Sequence, residues 1–337
     1  MNNKTKIYKI YSLFIKILII VFAFWFIYRR LFIKEKFDNT LSSFKHLFDT
    51  PSFIITLSIV FLLMFLNWGL ETAKWKYLIN KIENVKFAKA FVAVFSGITV
   101  SIFTPNRIGE YAGRVFILEK ADRWAGVIIT IIASMSQLLI TLVIGSVCFI
   151  FFAYNYLNLS ENPVYYFLGI ILLVIIFDIV LIFLFYNVSF LSKLLERLPF
   201  KLRKIKPYGK VFSLYSFKEL SLAILLSLSR YIVFFTQYYI LLRLFGVCIP
   251  LFDALVLISL IFLVMTVIPT ISLFEIGIRV PVAVYFISLY FEQQGIPARS
   301  YDIGVIAASS LLWVINLVIP SLLGAVFVFQ LKFFRKN

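Results

Sequence analysis

Two stretches of this 337-residue chain set ionisable side chains into otherwise apolar sequence, and the two are alike. The first reads Phe103-Thr104-Pro105-Asn106-Arg107-Ile108-Gly109-Glu110-Tyr111-Ala112-Gly113-Arg114-Val115. The second reads Ile268-Pro269-Thr270-Ile271-Ser272-Leu273-Phe274-Glu275-Ile276-Gly277-Ile278-Arg279-Val280. In each, an apolar run meets a proline and is followed by Glu-x-x-x-Arg-Val, and the two glutamates are 165 residues apart, as are the two arginines. Glu and Arg four apart share one helix face, with Glu first in the favourable order. A guanidinium presents a planar fork that matches phosphate or carboxylate. A helix that starts just after a break points free N–H groups and its positive end at whatever lies before it, which favours an anion. Arg107, Glu110, Arg114, Glu275 and Arg279 are therefore candidates for holding an anionic group. In that arrangement the glutamates balance charge, bind an amino group or carry a proton. Pro105, Gly109, Gly113, Pro269 and Gly277 are the candidate hinge or broken-helix positions. The same residues also permit a plainer use, in which each Glu neutralises its own Arg and braces the segment. Charges at the centre of a membrane helix cost at least about 2.5–3.5 kcal/mol each, which weighs against spending four on bracing alone.

That cost applies because the elements carrying these residues belong in a membrane. Hydrophobic residues make up 62% of the chain and charged ones only 15%, where a soluble protein has about a quarter charged. The apolar residues come in blocks of the roughly 20 residues needed to cross a hydrocarbon core as a helix. They do not alternate as the strands of a membrane barrel must. The expected fold is an all-α polytopic membrane protein, a single membrane domain over 1–337. Full spans are expected at 10–28, 53–70, 125–153, 164–186, 221–245 and 303–329. Two further apolar regions, 88–118 and 252–291, are broken by Pro105 and Pro269, since proline removes a backbone donor and clashes with the preceding turn. Each is expected to be a re-entrant helical hairpin.

The net charge of +17 follows topology rather than a nucleic-acid partner. With both termini cytoplasmic and each hairpin entering and leaving on one side, inside segments hold 21 Lys and Arg and outside segments six. That bias sets both termini inside, and the expected location is the plasma (cytoplasmic) membrane. The N-terminal run lacks a small-residue cleavage site and reads as an uncleaved span. Each half, about 10–153 and 164–329, then holds two spans, a broken hairpin and a third span. Three spans per half is odd, so the halves run in opposite senses: the inverted-repeat plan of many secondary transporters. Broken backbone at membrane depth is tolerated only when buried or lining a wet cavity, which places a polar pocket at the two breaks.

Other ionisable residues inside spans are fewer. Arg230 is a candidate substrate contact beside Tyr231. Asp178 is a candidate coupling site or a partner for Arg230. Arg243, near a helix end, is expected to snorkel to the headgroups. Gln137, Gln237 and Asn316 read as interhelical hydrogen-bonding residues. The segment 187–220 carries eight Lys and Arg, which fit anionic lipid or topology determination equally. Cys148 and Cys248 sit in or beside apolar sequence and read as small hydrophobes. His46 has no acidic or Cys cluster near it, and no metal or cofactor is expected.

The run from Thr104 to Arg114, with Ile268-Pro269 through Glu275-x-Gly277-x-Arg279, resembles the signature regions of the flippase-like integral membrane family. That family is the transmembrane region of lysylphosphatidylglycerol synthases, which also occurs alone. Where the family has glycines before the second Glu, this chain has Ile271-Ser272-Leu273-Phe274. The resemblance implies movement of a lipid or lipid-linked group between leaflets, with membrane lipids as partners and a separate enzyme making the lipid. With eight residues after the last expected span, a stand-alone member without the aminoacyl-transferase domain is expected. The other reading is a membrane-embedded transferase acting on lipid-linked substrates, though the long loops show no paired-Asp or His-Glu motif.

Overall fold

The computed structural model describes residues 51–104, 107–156, 163–187, 211, 213–268, 272, 275–296 and 299–328. The first expected span, His46, Pro105, Pro269 and most of the basic segment 187–220 lie outside the described residues. Those described are helical, in the order α1 (Pro51–Ile79), α2 (Phe87–Ser101), α3 (Ile108–Val115), α4 (Arg123–Tyr156), α5 (Pro163–Tyr186), α6 (Phe217–Leu244), α7 (Leu251–Val267), α8 (Glu275–Gln293), α9 (Arg299–Trp313) and α10 (Ile319–Val328). A π-helical turn, Val314–Val318, joins α9 to α10. Five helical stretches are long and apolar enough to cross a membrane: Pro51–Ile79, Arg123–Tyr156, Val164–Tyr186, Phe217–Leu244 and Tyr301–Val328. The protein is an integral membrane protein. α2 and α7, at 15 and 17 residues, are shorter apolar helices that stop at the two expected breaks.

The chain divides into two compact units. Of the described residues, one unit comprises those before Ile131, Ser272, Glu275 and Ile276, and those from Ser310 onward; the other comprises those within 131–268 and 277–309.

In the first unit, α1 changes character along its length. Ile54, Ile55, Leu62 and Phe65 are exposed, as lipid-facing residues are, whereas Met64, Asn67, Trp68, Glu71, Trp75 and Leu78 form a buried stripe at helical spacing. The helix continues nine residues beyond the apolar run 53–70, so charged residues enter its buried face. α2 is rich in small residues, and it packs closely because of them. A Cβ on Gly113 of α3 would stand 2.6 Å from the Gly97 Cα of α2, and one on Gly109 would stand 2.6 Å from the Val100 oxygen. Position 113 meets 97 while 109 meets 100, so α2 and α3 run antiparallel as a tight hairpin. On the other side, Thr99 Oγ1 donates to the Ser321 oxygen of α10 at 2.7 Å, and Gly324 lies against the Phe95 carbonyl. The π turn has a local cause: Pro320 cannot donate to the Asn316 carbonyl and its ring crowds it. Asn316 uses its side chain there, accepting from Asn67 Nδ2 at 3.4 Å and donating to the Leu312 oxygen at 3.2 Å.

Outside the spans, the loop after α1 is tied to the turn after α3. The Glu83 carboxylate accepts from the backbone N–H groups of Glu119, Lys120 and Ala121 at 2.8–3.1 Å, with Lys89 3.7 Å away. Burial acts to raise the Glu83 pKa, but those three donors and Lys89 outweigh it and hold the carboxyl below its ordinary value.

In the second unit, α4 and α7 share an apolar core of Cys148, Phe152, Val256 and Leu260, against which Phe286 and Leu289 of α8 pack. Hydroxyl pairs link helices here: Ser136 with Ser227, Tyr231 to Ser259, and Tyr238 with Ser309. α6 begins at Ser216, whose N–H donates to Glu219 at 2.9 Å in a capping arrangement. α5 is apolar almost throughout, with most of its long side chains exposed; Asp178 and Phe185 are the residues of it that are buried.

Candidate functional site

α3 starts from an unusual backbone. Arg107, its N-cap, has φ +57°, the one positive φ among the described non-glycine residues. A bulky side chain in that region costs of order 1–3 kcal/mol and persists where surrounding contacts hold it. The contacts are visible. Thr104 Oγ1 accepts from the Gly109 N–H at 2.8 Å, and the Arg107 carbonyl accepts from the Glu110 N–H at 2.9 Å. The start of the helix is thus capped by the chain's own groups, rather than presenting all of its N–H groups to an anion as the motif alone led us to expect. Gly109 and Gly113 serve close approach to α2.

Four ionic side chains meet at the α1–α3 contact. Arg114 is 1% exposed; its Nη1 donates to Glu71 Oε1 at 2.8 Å and its Nη2 to Glu110 Oε1. Lys74 Nζ reaches the other Glu71 oxygen at 2.9 Å. Two cations face two carboxylates, and both guanidinium Nη groups of Arg114 are occupied. Glu110 does pair with its own Arg. Glu71 and Lys74 were missed from the sequence because they fall just past the apolar run, where they count as loop charges; only the extension of α1 buries them.

The second glutamate is differently engaged. Glu275, the first residue of α8, accepts from Arg107 Nη2 at 3.0 Å, 168 residues away in sequence. The first motif's turn and the start of the second motif's helix are joined directly, both within the first unit. Glu110 lies within electrostatic reach of the same Arg107. The Arg107 side chain is 41% exposed and the Glu275 side chain 9%, so the pair is open on the arginine side only.

The remaining expected residues lie in the second unit. The Arg279 guanidinium is buried and stands 5.8 Å from the centroid of the Phe234 ring, a cation–π contact. Arg230 Nη1 donates to Gln137 Oε1 at 3.4 Å. Asp178 accepts from Ser146 Oγ on α4 at 2.8 and 3.0 Å, and Arg230 is not its partner. Gly277 lies four residues before Pro281, which cannot donate to its carbonyl. Among the described residues no cluster of His, Cys, Asp and Glu has the arrangement of a metal site.

A family model described as the lysylphosphatidylglycerol synthase TM region matches residues 13–324. No curated protein and no solved structure matches the chain significantly.

Proposed function

The chain belongs to the lysylphosphatidylglycerol synthase transmembrane-region family, and from that premise we propose that it moves a lipid or lipid-linked group with an anionic headgroup between membrane leaflets. The observation that carries the proposal is the Arg107–Glu275 pair. Arg107 sits in a strained turn at the break between α2 and α3, is two-fifths exposed, and is hydrogen-bonded to the Glu275 carboxylate. A phosphate on a headgroup is the natural competitor for that guanidinium. When it displaces Glu275, the link between the two motifs opens, and the freed carboxylate takes an amino group or a proton. Arg114, buried with both Nη groups on Glu71 and Glu110, braces the hairpin with Gly109 and Gly113. Arg279 and Arg230 are further candidate headgroup contacts, in the second unit. Pro105, Pro269 and Gly277 supply the breaks.

The same reading keeps six full spans, two re-entrant hairpins and inverted halves over about 10–153 and 164–329, with both termini on the cytoplasmic side of the plasma membrane. The antiparallel α2–α3 hairpin and the short α7, which ends at the second break, support it. A separate enzyme supplies the lipid.

The test uses vesicles reconstituted with headgroup-labelled anionic phospholipid. A hydrogen bond to a charged group contributes about 1.5–3 kcal/mol, so Arg107→Ala is expected to slow translocation by about 10–100-fold. Glu275→Gln is expected to speed release of the pair and alter the rate in the folded protein. Translocation at the wild-type rate in Arg107→Ala would sink the assignment.

A further inference from the structure

Asp178 stands out against its own helix. α5 carries exposed apolar side chains over most of its surface, yet Asp178 is only 9% exposed, in the middle of a 23-residue apolar stretch. Its neighbour across the interface is Ser146 of α4, which runs antiparallel to α5, with Tyr154 against Phe167 further along. Both carboxyl oxygens lie on the one Ser146 Oγ, at 2.8 and 3.0 Å. The same Oγ is also 2.9 Å from the Val143 carbonyl oxygen.

A hydroxyl has one hydrogen, and these contacts ask more of it. If Asp178 is ionised, Ser146 gives its hydrogen to the carboxylate, and its contact with Val143 has none. If Asp178 is a carboxylic acid, the acid O–H donates to Ser146 Oγ, and the Ser146 O–H donates to Val143. Both links, Asp178 to Ser146 and Ser146 to Val143, then carry a hydrogen, whereas in the ionised state only the first does. The charges around Asp178 agree. The described titratable groups of the packing helices are Arg123, Cys148, Tyr154 and Tyr156 on α4, with Lys218, Glu219, Arg230, Arg243 and several tyrosines on α6. None makes an electrostatic contact with Asp178. Arg230, the cation nearest in kind, engages α4 at Gln137 instead. That point is nine residues, or about 13 Å along the helix, from Ser146.

We propose that Asp178 is a proton-binding site, a carboxylic acid at rest that releases and regains one proton during the transport cycle; the coupling half of this rests on the transport reading above. Release sends the proton to water. The Ser146 hydrogen then swings from the Val143 carbonyl to the carboxylate. A serine bonded back to its own helix bends that helix, so the swing changes the local course of α4.

Two measurements on the purified protein in lipid test the proposal separately from the transport reading. Infrared difference spectra should show a carboxylic-acid carbonyl band at neutral pH that shifts on deuteration. The band should vanish in Asp178→Asn and move to the position of a free acid in Ser146→Ala. No such band, or one unchanged in Asp178→Asn, overturns the proton site. In vesicles, an imposed proton gradient should accelerate lipid movement by wild-type protein. Asp178→Asn, which keeps the contact with Ser146 but cannot ionise, should move lipid without responding to the gradient. A variant that still responds overturns the coupling. Wild-type protein that shows the band but moves no lipid sinks the transport reading and leaves the proton site supported.

Discussion

Arg107 and Arg114 stand seven residues apart, both candidate anion contacts in the first motif, yet their surroundings differ. Arg114 is buried with its two Nη groups on Glu71 and Glu110. Arg107 is two-fifths exposed, with Glu275 on its Nη2 and Glu110 within electrostatic reach. Burying an ion pair does little for net stability, but removing one member leaves a charge stranded, at a cost of about 3–5 kcal/mol. Glu71→Gln should therefore lower the thermal unfolding midpoint in detergent sharply. Glu275→Gln, whose partner is able to turn toward water, should lower it far less. Equal effects from the two would remove the distinction between a brace and an openable pair. Their separation was not legible from residue types, because both arginines follow a proline break and both have a glutamate nearby.

At the scale of elements, the α2–α3 hairpin is set by glycine rather than by charge. The pair Gly97 and Gly113 brings two backbones into direct contact, and a methyl at 113 would have to push the Gly97 backbone aside. Backbone yields less readily than a side-chain tip, and overpacking of this kind costs about 1–3 kcal/mol. Gly113→Ala is expected to destabilise by that amount and to reduce translocation, since it moves Arg114 off Glu71. Gly169→Ala on α5, with nothing within 4 Å of the added methyl, is the control and should be neutral or slightly stabilising. Unfolding of both variants in the same detergent decides the matter. The break itself was readable from Pro105 in sequence. The capping of α3 by Thr104 was not, because it depends on the chain folding back within five residues to bring a side-chain oxygen to the Gly109 N–H.

For the whole molecule, the proposed topology places the connection between α6 and α7 on the outer face. Cys248 lies in that connection with its thiol exposed, whereas Cys148 is buried. The wild-type protein thus carries its own reporter. A membrane-impermeant maleimide is expected to label Cys248 in right-side-out vesicles and to leave it unlabelled in inside-out vesicles. The opposite pattern would reverse the orientation and, with it, the direction assigned to every charged loop. The two compact units draw on both parts of the sequence: Ser272, Glu275 and Ile276, from the second motif, belong with the first motif's hairpin.

The membrane class, the helical form, the sites of the two breaks and the family were determined by the sequence alone. Each rests on local chemistry: runs of apolar residues long enough to cross a bilayer, prolines that cannot continue a helix, and a motif contiguous in the chain. Pairing of the charges was decided only by the tertiary structure. Glu275 meets Arg107 across 168 residues, and Glu71 meets Arg114 across 43. A charge four residues away is a neighbour by helix geometry, but a charge across the fold is a neighbour only once packing has chosen which faces touch. The repeated Glu-x-x-x-Arg therefore announced where the chemistry lies, and the packing of α1, α3 and the start of α8 settled which residue answers which.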